Sequence, residues 1–413
     1  MAALLSASVL VSLAPGAPAA ACPAGTVKAL IGGKRVCLKA GQKCVLRFNG
    51  QYRRSGFDCK AGKLTRRARW VITDLGEGWA YALNELGQVV GYGGNATALH
   101  ASLWQNGVRR DLGTLGGPSS QALAINDRSQ VVGWSETASG GRHAFRWENG
   151  EMRDLGTLGG FGSEAVGINE RGQVIGTSSP AGGTTSHAFL WENGVMTDLG
   201  TLGGESIVPI DINERGQVVG QSSTASGEFH GFLWENGAIR DLGTVGNQDR
   251  PYTRPSAIND RGQIAGSSNG RAFLWQDGVM RDLGSRRGRP SVAFALNERG
   301  QVVGYSAPPN LYVHASLWQN GVMRDLDTLG VRLAESSAKA INERGQVTGE
   351  IAIPYGGQAH AFVWQNGVMS DLGTLGGKGA IAYEINDRGQ VIGRAATPDG
   401  QGHAALWTPR RAG

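Results

Sequence analysis

No cysteine lies beyond residue 59, no run of 18 or more apolar residues occurs beyond the first two dozen positions, and only 18% of the 413 residues carry charge. Without long apolar runs the body of the chain has no membrane-spanning helix. Low charge alongside 40% hydrophobic residues excludes a disordered chain. What is abundant is glycine: 66 residues, with no collagen period and no low-complexity tract. That argues against a long-helix protein or coiled coil and calls for many tight turns. An all-β repeat chain remains.

Acid is scarce in one place. Between Cys22 and Arg69 a single acid, Asp58, stands against 13 Lys or Arg, a net +12, whereas the rest of the chain carries −6. A compact basic module therefore precedes a mildly acidic body. Residues 1–21 read as a signal peptide: an apolar run Ala3–Leu13, a Pro/Gly break, then small residues suited to cleavage near Ala19–Ala21. All four cysteines, Cys22, Cys37, Cys44 and Cys59, fall inside the basic module. Export implies an oxidising compartment and two disulfides, with three connectivities open. Zinc is disfavoured because no C-x-x-C pair occurs, and a lipid on Cys22 would leave one cysteine unpaired. The domains expected are 1–21, a signal peptide; 22–69, a small basic Cys-rich module; and 70–413, the repeat body.

From Trp70 the chain repeats itself. One box, I-N-[D/E]-R-G-Q-V-V-G, places asparagines at Asn84, Asn126, Asn169, Asn213, Asn259, Asn297, Asn342 and Asn386, about 43 residues apart. A second box, H-A-F-L-W, ends on tryptophans from Trp104 to Trp407, and a third, D-L-G, recurs from Asp74 to Asp371. This is the size of a four-stranded propeller blade. Asn-x-Arg-Gly favours a turn with asparagine first and glycine last, and Asn-Gly after H-A-F-L-W favours a two-residue type I′ hairpin. The region opens with a lone fourth strand, Trp70–Gly76, and closes with a lone third strand, His403–Trp407. Joining them would remove both exposed sheet edges. The expected fold is all-β: an eight-bladed β-propeller closed by its N-terminal strand and preceded by a small disulfide-rich module.

Together the H-A-F box, the I-N-x-R-G-Q-V-V-G box and D-L-G-T-L-G-G resemble the HAF-repeat family of extracellular bacterial proteins, over Trp70–Trp407. The resemblance implies secretion and a repeat architecture, and it implies no activity. The segment Cys22–Leu64, with C-L-K-A-G-Q-K-C and Y-x-x-x-G-F-x-C, looks like a small cysteine module found ahead of other secreted bacterial domains.

All seven histidines occupy the H-A-F position, and Arg271 replaces the histidine in the fifth repeat. Each belongs to a different repeat, so His143, Trp147, Asp154, His187, Trp191 and Asp198 are expected to be structural. The imidazole would bond a carboxylate or backbone partner. Two residues before each repeat asparagine the residue is small in six repeats, but Asp211 and Glu384 stand there in the fourth and eighth. Opposed across a ring, they would lie farther apart than the roughly 5–10 Å of a glycosidase pair. They therefore count as channel-lining or interblade charges.

The connections that follow D-L-G and QVVGxS vary in length and share one face, where binding sites are usually mounted. There Arg250, Tyr252, Arg254, Arg286, Arg287, Arg289 and Tyr312 form a candidate binding cluster for carboxylate, sulfate or phosphate groups. No catalytic group, metal site, cofactor or nucleic-acid platform stands outside the repeat pattern. The expectation is a secreted, monomeric, non-catalytic binding or scaffold propeller that recognises an extracellular glycan, cell-surface polymer or protein through this loop face. Its rivals are a polysaccharide lyase or hydrolase and a structural envelope component.

Overall fold

The computed structural model describes residues 27–31, 34–39, 41–43, 57–60, 63–66, 70–95, 98–183, 185–246, 251–285, 289–307, 312–326, 335–352 and 358–410. The chain divides into two units, one of residues 1–69 with 410–413 and one of Trp70–Pro409. Among the described residues there is no helix at all, and so none long and apolar enough to cross a membrane.

In the smaller unit Val27–Ile31 pairs antiparallel with Lys34–Leu38, and Phe57–Lys60 with Lys63–Arg66. Cys37 lies on the second of these strands and is disulfide-bonded. Cys59 lies on the third strand, and Cys22 and Cys44 fall outside the described residues.

The larger unit is built from repeats of four antiparallel strands joined in sequence order. Six of them form separate four-stranded sheets, and a seven-stranded sheet holds the remainder. Local chemistry sets each turn. In the third-to-fourth-strand hairpins Asn149 and Gly150 have φ of 53° and 94°, and Asn193 and Gly194 have 51° and 87°, the left-handed pair a type I′ turn requires. At the asparagine turns the amide of Gly172 donates to the carbonyl of Asn169 at 3.0 Å, with Gly172 at φ 80°. The fourth strands, such as Glu151–Asp154, are mostly exposed and lie on the outside. Between repeats, Val, Ile, Phe and Trp fill successive apolar layers. One layer packs Ile175, Leu190, Ile207, Val218, Phe232 and Trp234, and burial of this kind is the main stabilising term for a sheet stack.

Every first strand carries a bulge two to four residues before its asparagine, for example between Ala165 and Gly167. The bulge brings a first-strand carbonyl hard against the V-V-G glycine of the second strand. A Cβ at Gly176 would collide with the carbonyl of Glu164 and the ring of Phe189, so glycine is required there.

Two hydrogen-bond circuits link the repeats. The Nδ2 of each repeat asparagine donates to the carbonyl of the next, from Asn84 to Asn126 and onward, and Asn386 returns to Asn84, all at 2.8–3.1 Å. Beside it, the amide of each following acid donates to the carboxylate of the next repeat's acid at 2.7–2.8 Å, from Glu85 to Asp127 and finally from Asp387 back to Glu85. The two ends of the larger unit meet as well: Gly402–Pro409 pairs with Trp70–Leu83, with Trp407 opposite Ile72 and Leu406 opposite Thr73. That 14-residue strand turns at Gly76 and Gly78, with φ 89° and 129°, and runs on as the first strand of the first repeat. The seven-stranded sheet is therefore the last repeat and the first repeat sharing one strand. The architecture is all-β and propeller-like.

Candidate functional site

Seven His–carboxylate pairs recur at one level of the fold. The Nδ1 of His100, His143, His187, His230, His314 and His360 lies 2.6–2.9 Å from the aspartate eleven residues on. His403 finds its carboxylate in Asp74, 329 residues away, at 2.9 Å. In Asp111, Asp154, Asp198, Asp241 and Asp371 the other carboxylate oxygen accepts from the D-L-G glycine amide, as Asp198 does from Gly200 at 2.9 Å. In the fifth repeat Arg271 donates to Asp282 in the same place. Trp147 is 4% exposed and packs among Phe145, Val131 and Leu103, while Trp191 is partly buried. Each of these residues binds its own sheet, and no pair faces another.

Asp211 and Glu384 are half-buried, their carboxylates turned toward backbone amides. Asp211 accepts from the amides of Ile212 and of Ile258, in the next repeat, both at 2.9 Å. Glu384 accepts from the amide of Leu83 at 2.8 Å, across the closure. Burial pushes Asp211 up to about 6 and Glu384 up to about 7, against the pull of those amides. They tie neighbouring repeats together. Among the described residues no group of three or more His, Cys, Asp or Glu is arranged to hold a metal ion.

Of the loop cluster, Arg250, Arg286 and Arg287 lie outside the described residues. Arg254 is not in a loop: it sits on the first strand Thr253–Ile258, opposite Ser267. Tyr252 is 43% exposed and its amide donates to Asn269 Oδ1, Arg289 is exposed, and Tyr312 is half-buried. The described members of the cluster are thus on different elements of the fifth and sixth repeats.

A different constellation stands on the first and second strands of the first and last repeats, where the first strands of neighbouring repeats lie against one another. Trp79 stacks on Tyr81 at 6.5 Å between ring centroids and on Tyr383 of the eighth repeat at 6.1 Å, and Tyr92 tilts against Tyr81 at 5.9 Å. The Arg394 guanidinium covers Trp79 at 4.8 Å. Space for that guanidinium exists because residue 402 is glycine, where a Cβ would collide with it. The Nε of Arg394 is buried without a hydrogen-bond partner. Arg394 also lines a cleft of about 300 Å³ together with Ile381, Gly379 and Ala359. Burial raises the Tyr81 and Tyr383 phenols, Tyr92 adding to the first and Arg394 opposing the second. Both stay neutral at ordinary pH. The site offers a flat aromatic wall and one underused cation, which suits stacking on a planar group and pairing with an anion. Trp79, Tyr81, Tyr92, Tyr383 and Arg394 were missed from sequence, although the third residue before each asparagine (Tyr81, Leu123, Val166, Ile210, Ser256, Phe294, Lys339, Tyr383) varies widely among the repeats.

No protein-family model and no curated protein matches the chain. Among solved structures it is similar to dipeptidyl peptidase 4 of Porphyromonas gingivalis, with TM-score 0.55, 10% identity and coverage of 82% of this chain and 59% of that one. It is more distantly similar to a puromycin-hydrolysing peptidase of Mycobacterium tuberculosis, with TM-score 0.46, 11% identity and coverage of 91% and 55%. TolB of Acinetobacter baumannii follows, with TM-score 0.34, 10% identity and coverage of 78% and 80%. The chain thus spans little more than half the length of the two peptidases. The first of these likenesses supports the propeller-like fold and carries no activity with it. The expectation of a non-catalytic binding or scaffold propeller acting through its loop face is corrected on this point: the solved structure matched at TM-score 0.55 is a peptidase. The physical ground for that expectation also weakens, since Arg254 belongs to a strand and the aromatic and cationic groups converge on the inner strands instead.

Proposed function

We propose that the chain is an eight-bladed propeller whose inner strands, at the junction of the first and last repeats, receive a small organic anion with a flat apolar face. The ligand stacks on Trp79 and Tyr383 and presents its carboxylate to Arg394. The single observation that carries this reading is the Arg394 guanidinium, which lies over the Trp79 ring at 4.8 Å and lines the cleft of about 300 Å³. The eight-blade count rests on the closed asparagine circuit and the shared strand. Membership in the HAF-repeat family rests on the three repeat boxes. Export and a second disulfide in residues 22–69 rest on the apolar leader and the four clustered cysteines.

Titration calorimetry of the full chain with N-acetylphenylalanine, an aromatic carboxylate, tests the site against phenylalaninamide, its cationic counterpart. Saturable binding of the first alone is expected, weakened about fivefold or more by Trp79→Ala and by Arg394→Gln. Equal binding of both probes, or no effect of either substitution, would refute the reading.

A further inference from the structure

On the side of the fold that carries the asparagine turns, a cleft lies between the sixth and seventh repeats, and its lining includes the turn arginine of each. This arginine of the Asn-x-Arg-Gly turn is replaced only in the first repeat, by Leu86. In the third and fourth repeats that arginine finds an acid at the end of the third strand: Arg171 lies 3.9 Å from Glu192, and Arg215 lies 3.4 Å from Glu235. In the sixth repeat the same position is Gln319, and the side chain of Arg299 is left without a carboxylate.

The cleft between the sixth and seventh repeats has a volume of about 420 Å³ and is lined by Arg299, Arg324 and Arg344, with Gln319, Asn320 and Asn366 at its rim. No acid lines it, and none of the three guanidiniums has an ion pair among the described residues. The corresponding sequence positions of the other repeats differ: the second, third and fourth carry Glu148, Glu192 and Glu235 where the sixth has Gln319, the fifth has Asp277 in its hairpin, the seventh replaces the strand arginine by Ser370, and the first has Leu86 in its turn. Only the sixth–seventh pair combines three arginines with an acid-free hairpin end.

We infer that this cleft binds a multiply charged oxyanion of the phosphate or sulfate class, held by Arg299, Arg324 and Arg344. Three exposed guanidiniums around one acid-free concavity concentrate positive potential there, which favours an anion of charge two or more. Their planar forks match the tetrahedral oxygens of such an anion bidentately, which a single carboxylate cannot satisfy. Gln319 acts as the permissive residue: it keeps the hairpin end polar without supplying the competing internal acid. The inference is independent of the aromatic site, which uses other residues on the first and second strands.

The test is titration of the full chain with inorganic pyrophosphate, phosphate, sulfate and acetate at low ionic strength. One saturable equivalent of pyrophosphate is expected, with phosphate and sulfate weaker and acetate silent, and affinity falling as salt rises. Arg324→Ala should weaken pyrophosphate about tenfold, the loss of one charge-assisted contact. Gln319→Glu, which installs the acid its sister repeats carry, should abolish saturation while leaving the thermal midpoint of the exposed site unchanged. Absence of saturable pyrophosphate binding by the unaltered chain would overturn the inference. So would binding that both substitutions leave intact.

Discussion

At the asparagine turns every repeat does the same thing, whereas along the first strands no two repeats present the same side chains. Asn213 shows the first behaviour. Its Oδ1 accepts from the amides of Arg215 and Gln217, and its Nδ2 donates to Gln217 Oε1 and to the carbonyl of Asn259. One side chain closes its own turn and fastens the next repeat, so no other residue type fits. Tyr81 shows the second: it occupies a bulge, packs against Trp79 and Tyr92, and carries no link of the circuit. Positions that bond across repeats are held fixed by geometry, and positions that bond within one wall are free to carry chemistry.

The largest expected effect breaks the constant side. Asn213→Ala leaves the amides of Arg215 and Gln217 and the Gln217 Oε1 without partners, at about 1–3 kcal/mol each in the isolated case, while the Asn259 carbonyl keeps the Gly262 amide. A total loss of about 3–5 kcal/mol in denaturant unfolding is predicted. Tyr81→Phe on the wall should shift the same measurement by less than about 0.5 kcal/mol.

This division also explains what could be read from the sequence. Asparagine turns, the Asn-Gly hairpins and the tryptophan layers were legible because each is a fixed spacing with a local physical cause. The closure was legible because Trp70–Gly76 supplies the strand that His403–Trp407 lacks. The aromatic wall was not legible, because period-two counting from Asn84 or Asn386 passes over the bulge. That counting singled out Ala82 and Glu384, and the extra residue beside each, Tyr81 and Tyr383, went unread. The signal was nonetheless present: a glycine fixed in the second strand of every repeat, such as Gly176, marks the close backbone approach that a bulge produces. Nor could a sequence show that Asp211 and Glu384 each reach an amide of the following repeat, since that link crosses a boundary between sheets.

A smaller effect sharpens the comparison at the closure. Burial raises Glu384 from 4.5 to about 7, with Glu85 reinforcing the shift. A carboxyl raised in the folded state contributes stability that is complete below its unfolded value and is lost as pH climbs through the folded one. The folded protein should therefore lose about 2–3 kcal/mol between roughly pH 4.5 and 7 from this group. Glu384→Gln keeps an acceptor for the Leu83 amide and does not ionise. Its unfolding free energy should be flatter across that window and higher than that of the unaltered chain at pH 8. A variant with the same pH slope as the parent would show that Glu384 is ionised in the folded protein.

The shared strand is what turns a row of repeats into a ring, and amide hydrogen exchange reads it directly. If the ring is closed, the amides of Val71–Thr73 and Leu406–Thr408 exchange as slowly as those of the interior strand Val347–Ala352, because all open only when the unit unfolds. Rapid exchange at both extremities with Val347–Ala352 still protected would mean that the ends are frayed and the ring is open.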